Sequence, residues 1–196
     1  MLFRSDADEG AARVRRLRVG PRDVVCGITA SARTPFVRGA LAEARRRGAR
    51  TVLVCCNAPG PEMEAEHVLL ARTGAELVAG STRLKAGTAT KLMLNALSTT
   101  AFVLLGKVYR GRMVDVRPTN VKLRARAARM VAELTELSPS EAERLLEAAG
   151  HEVKVALAMH FAGVSAAQAR RRLKHTSLRA LGPARVDKSK RPPVRR

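Results

Sequence analysis

Two β-branched apolar runs, residues 23–29 (DVVCGIT) and 51–56 (TVLVCC), bracket a segment of helical periodicity, and this triplet most constrains the fold. Such short apolar runs suit strands buried on both faces of a parallel sheet. Between them, Thr34 followed by Pro35 starts a helix, a hydroxyl at the cap and a ring whose fixed φ suits the first helical position. Helical spacing covers residues 36–47, and Gly48 stops it. Alternation then continues. Residues 57–61 read as a turn, 62–66 as a helical turn and 67–72 as a third strand, while residues 11–17 suggest a short earlier helix. The fold class is α/β, a parallel sheet sandwiched by helices.

Ligands of open parallel sheets bind beyond the carboxyl ends of the strands, which selects two loops. The first is residues 30–34, where Ser31, Thr34 and the amides of the next helix suit a phosphate. The lesser alternative for Ser31 is a turn hydroxyl bonded to its own backbone. The second spans residues 74–91, with Gly74, Gly80 and Gly87 among Glu76, Ser81, Arg83, Lys85 and Lys91. Glycines free the backbone near a ligand, and hydroxyls with cations suit an oxyanion. A simple Gly80-Ser81 cap on the long helix expected over residues 81–106 accounts for part of the same pattern.

Further on, residues 113–120 form a loop, and Pro118 and Thr119 introduce a helix over 120–136. Ser138 followed by Glu141 is a capping box. Three short helices follow at 139–149, 153–161 and 165–173, separated by Gly150 and Gly163. From Gly182 to the end no core-forming pattern remains, so a disordered basic tail is expected.

The net charge of +20 raises the question of nucleic acid. Eleven of the 37 Lys and Arg fall within residues 165–196, and the rest are scattered over helix faces. With one Tyr, four Phe and no Trp, stacking platforms are scarce, so nucleic acid is not expected as a main partner. Cys26, Cys55 and Cys56 lie in strand-like runs without metal-ligand spacing and read as buried, reduced thiols. Neither a membrane span nor a signal peptide is recognisable, which points to a soluble, cytoplasmic protein.

The run Gly74-x-Glu76-x-x-x-Gly80-Ser81-Thr82-Arg83-Leu84-Lys85-x-Gly87-Thr88 resembles the pattern shared by bacterial N-acetylmuramic acid 6-phosphate etherases and the glucokinase regulatory protein. Two further segments agree. Residues 31–35 (SARTP) resemble the Ser-Gly-Arg-Thr-Pro loop of sugar-isomerase (SIS) domains, and residues 113–120 resemble the etherase segment Met-Val-Asp-Val-x-x-Thr-Asn. Ala32 departs from the usual glycine, and a positive φ there would strain the loop by about 1 kcal/mol.

The resemblance implies an N-terminally incomplete, flavodoxin-like SIS domain over residues 23–117. A helical region over 118–181 follows, ending in a ubiquitin-associated-like three-helix module. Residues 1–22 are expected to be a truncated segment whose first five residues are not native, and 182–196 a basic tail. Ser31, Arg33, Thr34, Glu76, Ser81, Arg83 and Lys85 are the implied sugar-phosphate contacts. No metal or cofactor is implied, and a homodimer is. The implied activity is cleavage of the lactyl ether of N-acetylmuramic acid 6-phosphate. The catalytic glutamates of the family would lie upstream of this chain, so no catalytic residue is assigned and the chain alone is expected to be inactive. A non-catalytic sugar-phosphate sensor similar to the glucokinase regulatory protein is the alternative.

Overall fold

The computed structural model describes residues 6–116 and 118–183. They form two compact units that divide after Ser98.

In the first unit, helix α1 (Ala7–Arg16) starts where the Asp6 carboxylate accepts from the amides of Asp8 at 2.8 Å and Glu9 at 3.1 Å. This cap lengthens the helix beyond the expected 11–17. Helix α2 (Pro35–Arg46) opens at the expected Thr34-Pro35 pair. The two helices meet through glycines. A Cβ on Gly39 would lie 1.9 Å from the Ala7 carbonyl oxygen, and one on Gly10 would lie 2.1 Å from that of Phe36. Buried Glu43 of α2 accepts from Arg46 Nε at 2.9 Å and Nη2 at 2.7 Å, with Arg15 of α1 at 3.7 Å.

Strands β1 (Val24–Thr29), β2 (Arg50–Cys55) and β3 (His67–Leu70) form a parallel sheet in that order. The register pairs Val25 with Thr51, Gly27 with Leu53 and Thr29 with Cys55. Side chains alternate along a strand, so these pairs share one face. Helix α2 packs on it. A Cβ on Gly27 would meet Val37 Cγ1 at 2.6 Å, and Leu41 of α2 joins Leu53, Cys55, Met63 and Ala32 in the core between helix and sheet.

The opposite face differs from expectation. Val24 is 65% exposed, Ile28 46% exposed, and Cys26 lies open between them. Among the described residues no second helical layer covers β1 on this side. Cys26 is therefore an exposed thiol and not the buried one expected, while Cys55 and Cys56 are buried. Residues 62–66 form no helix. A turn closed by Met63 N–H donating to the Gly60 carbonyl at 3.0 Å stands there, and β3 ends at Leu70, short of residue 72.

Helix α3 (Lys85–Leu104) starts four residues after the expected Ser81 and stops before Gly106. Gly80 is left-handed (φ 80°), and Ser81 N–H donates to the Val78 carbonyl at 3.0 Å, which holds this stretch in a turn.

In the second unit, β4 (Val108–Tyr109) and β5 (Arg112–Met113) form a hairpin absent from the sequence reading. Its two-residue turn, Arg110-Gly111, has positive φ at both positions (47° and 76°), the geometry that matches strand twist. Asn120 caps α4 (Val121–Thr135) by accepting from Leu123 N–H at 2.9 Å. The expected capping box opens α5 (Pro139–Ala148), where Ser138 N–H donates to Glu141 at 2.9 Å and Glu141 N–H returns to Ser138 Oγ at 3.4 Å. Then come α6 (Val153–Ala162), α7 (Ala166–Leu173) with a second box from Ser165 and Gln168, and the short, unanticipated α8 (Leu178–Leu181). Their common core includes Val114, Val131, Leu146, Val153 and Leu157.

Most of the expected basic tail, beyond Pro183, lies outside the described residues, as do residues 1–5 and Arg117. No helix among the described residues is long and apolar enough to cross a membrane.

Candidate functional site

Three hydroxyls gather where β1 passes into α2. Thr29, only 6% exposed, places its Oγ1 2.7 Å from Thr34 Oγ1 and 3.3 Å from Ser31 Oγ. Ser31 Oγ also accepts from Arg33 N–H at 3.3 Å, while the Arg33 side chain is exposed. Thr34 occupies the N-cap of α2 with extended backbone, yet its side chain makes no cap bond to the first turn. Its hydroxyl is turned toward Thr29 and away from the helix. The amide end of α2 thus keeps its positive dipole beside two accessible hydroxyls, an arrangement suited to an anion.

The loop is pinned from the next strand. The Ala30 carbonyl accepts from Cys56 N–H at 3.1 Å and Asn57 Nδ2 at 2.9 Å. Ala32 adopts φ 55° and is fully buried. The left-handed conformation costs an L-residue roughly 1–2 kcal/mol, and burial of one methyl offsets about 0.8 kcal/mol of it. Alanine in place of the usual glycine therefore retains the loop with little net loss.

The second loop ends on the same strand terminus. Cys56 Sγ lies 3.6 Å from the Ala86 carbonyl oxygen and 3.8 Å from Thr90 Oγ1, so the start of α3 lies beside the residue that holds Ala30. Glu76 caps α3. Its Oε2 accepts from Lys85 N–H and its Oε1 from Ala86 N–H, both at 3.0 Å. Chiefly the Ala86 amide, with the Lys85 amide and charge, holds this carboxyl below the usual carboxylate range against a smaller opposing effect of burial. Ser81 is half-buried, and Arg83 and Lys85 are exposed.

Of the seven residues selected from sequence, Ser31 and Thr34 converge through Thr29. Glu76 and Lys85 meet at the α3 start. Sequence reasoning missed Thr29 and Asn57. The signal for Thr29 was a hydroxyl ending an apolar strand on the face shared with Val25 and Gly27. Among the described residues no group of three or more His, Cys, Asp or Glu is placed to hold a metal ion.

No protein-family model matches the chain. Individual relatives do. The N-acetylmuramic acid 6-phosphate etherase of Rubrobacter xylanophilus is 50% identical over 182 residues, covering 91% of this chain and 60% of the relative. That of Synechocystis sp. is 50% identical over 169 residues, 85% of this chain and 55% of the relative. The chain is homologous to part of these etherases. The likeness extends to Staphylococcus epidermidis, whose N-acetylmuramic acid 6-phosphate etherase is 42% identical over 173 residues, 88% of this chain and 59% of the relative. The chain thus spans between 55% and 60% of the length of these three etherases.

Proposed function

We propose that this chain is the C-terminal, sugar-phosphate-binding part of an N-acetylmuramic acid 6-phosphate etherase, a cytoplasmic carbon–oxygen lyase of cell-wall recycling. The reaction eliminates D-lactate from the opened sugar, whose aldehyde acidifies the neighbouring C–H, and water then adds to the unsaturated product to give N-acetylglucosamine 6-phosphate. A base must take the C2 proton and an acid must assist the leaving lactate. No glutamate of this chain is assigned to either task, so the contribution proposed here is to hold the phosphate. In this reading residues 23–117 belong to an SIS domain and 118–181 to a helical region.

The hydroxyl cluster of Thr29, Ser31 and Thr34 at the start of α2 carries the reading. Phosphate there would accept from Ser31, Thr34 and the first-turn amides, with Arg33 adding charge from the rim. Ser81, Arg83 and Lys85 are proposed to face the sugar, and Glu76 to order their loop through its cap on α3. A homodimer is part of the proposal, supported by the exposed apolar residues Leu92, Leu97, Phe102 and Leu104 along α3.

The test joins the upstream portion of the Rubrobacter xylanophilus etherase to this chain in frame and measures D-lactate release from N-acetylmuramic acid 6-phosphate. The joined protein should release lactate, and the double change Ser31→Ala with Thr34→Val should lower kcat/KM about a hundredfold, two charge-assisted hydrogen bonds being lost. Undiminished lactate release after both changes would remove the loop from the site.

A further inference from the structure

A cavity of about 250 Å³ opens within the helical unit, between the loop after β5, the start of α6 and the end of α7. None of its lining residues belongs to the sugar-phosphate site proposed above. The lining is of two kinds. Val114, Val153 and Val155, all buried, form an apolar wall with half-buried Val116 and Leu173. Asp115, Glu152, Lys154, Arg170 and Lys174 complete it.

Much of that charge is already matched. Asp115 faces Lys107 at 3.1 Å. Glu152 accepts from Arg170 Nη2 at 2.9 Å and Nε at 3.1 Å, and the same Nη2 donates to the Ala149 carbonyl at 2.8 Å. Lys154 and Lys174 differ, since neither has a carboxylate partner among the described residues. The cavity therefore joins an apolar wall to two cations that no acid offsets. Water satisfies the ammonium groups alone, and inorganic phosphate leaves the valines unused, whereas an anion with an apolar body meets both.

We propose that this cavity binds a short-chain carboxylate, its charged end toward Lys154 and Lys174 and its hydrocarbon against the valines. The volume sets the size of the ligand. It falls below the roughly 300–1,000 Å³ that drug-sized molecules occupy, so a chain of a few carbons is the class that fits. Lysine suits such a ligand, because its ammonium is a point charge on a flexible stem and imposes no planar, two-pronged approach. The site is independent of the phosphate loop, and either stands without the other.

Titration of the full 196-residue chain with sodium acetate, propionate and butyrate at constant ionic strength, followed by amide and methyl chemical shifts, tests the assignment. Shifts should gather at Val116, Lys154, Val155 and Leu173, and affinity should rise about fourfold with each added methylene. The double change Lys154→Met with Lys174→Met keeps the stems and removes the charges. It should weaken butyrate binding about tenfold and leave the binding of uncharged butanol as it was. The chain-length series uses only the unmutated chain, so it decides even where the double change unfolds. No shift at these residues with any of the three salts would overturn the proposal. Equal affinity for acetate and butyrate, or for inorganic phosphate and butyrate, would overturn it too, reducing the cavity to two solvated lysines that attract any anion.

Discussion

The two units close their cores to different degrees. In the helical unit, Leu157, Val131, Val153 and Val114 are fully buried, and two reciprocal capping boxes finish the helix starts. In the α/β unit, Leu53 of the sheet and Leu41 of α2 are as well buried against each other's elements, yet Val24, Ile28 and Cys26 on the other face of β1 are open. Parallel sheets normally bury both faces. The core shared by α4 to α8 therefore closes locally, although Leu104 and Val121 near the start of that unit are each 81% exposed, whereas the α/β unit leaves one face of β1 with the composition of a core open.

The sharpest way to break this comparison is a matched pair of truncations. Leu157→Ala should cost about 3 kcal/mol, the transfer of the side chain plus the cavity it leaves. Ile28→Ala should cost less than about 1 kcal/mol, because its side chain is already half in water. Urea unfolding measures both. Equal losses would mean that the open face of β1 is covered in solution.

Next in size is Gly39→Ala, expected to cost about 2 kcal/mol or more, since the new methyl meets the Ala7 backbone 1.9 Å away and no side chain can yield. Hydrogen exchange should then show α1 exchanging faster while the helical unit is unaffected. Uniform acceleration across both units would contradict their separation.

A third prediction concerns pH. The folded Glu76 carboxyl is held below its ordinary value, foremost by the Ala86 amide, so its contribution is fully present above the unfolded value. It is lost as pH falls through the lower, folded value. Glu76→Gln should flatten that acid limb and leave the chain less stable at neutral pH, as followed by thermal melts from neutral to acid. An unchanged limb would show that the cap on α3 does not form.

The smallest effect belongs to Ala32→Gly. Release from φ 55° and loss of a buried methyl oppose each other, so a change under about 1 kcal/mol is expected, with glycine the more stable. A clear destabilisation would mean that the methyl in the core outweighs the backbone strain.

What was legible in the sequence was local. Thr34-Pro35 and Gly48 bounded α2, the Ser138 to Glu141 spacing marked α5, and both features lie within a few residues of the ends they define. The start of α3 was misplaced because its cap is a carboxylate nine residues upstream of Lys85, outside any cap pattern. Cys26 was misjudged because burial depends on what covers a strand, and an apolar run does not encode that. In the candidate site, Ser31 and Thr34 were visible as loop hydroxyls. Thr29 was hidden, since its importance lies in facing them from beneath, a relation that only the fold creates.

The central claim is that the β1–α2 loop holds the phosphate of a sugar phosphate. Amide chemical-shift mapping of the full chain with N-acetylglucosamine 6-phosphate, with N-acetylglucosamine as the control, tests it directly. The account predicts phosphate-dependent shifts at Ser31, Arg33 and Val37, and none there with the unphosphorylated sugar. Shifts confined to the arginines of α7, or identical shifts with both sugars, would contradict it.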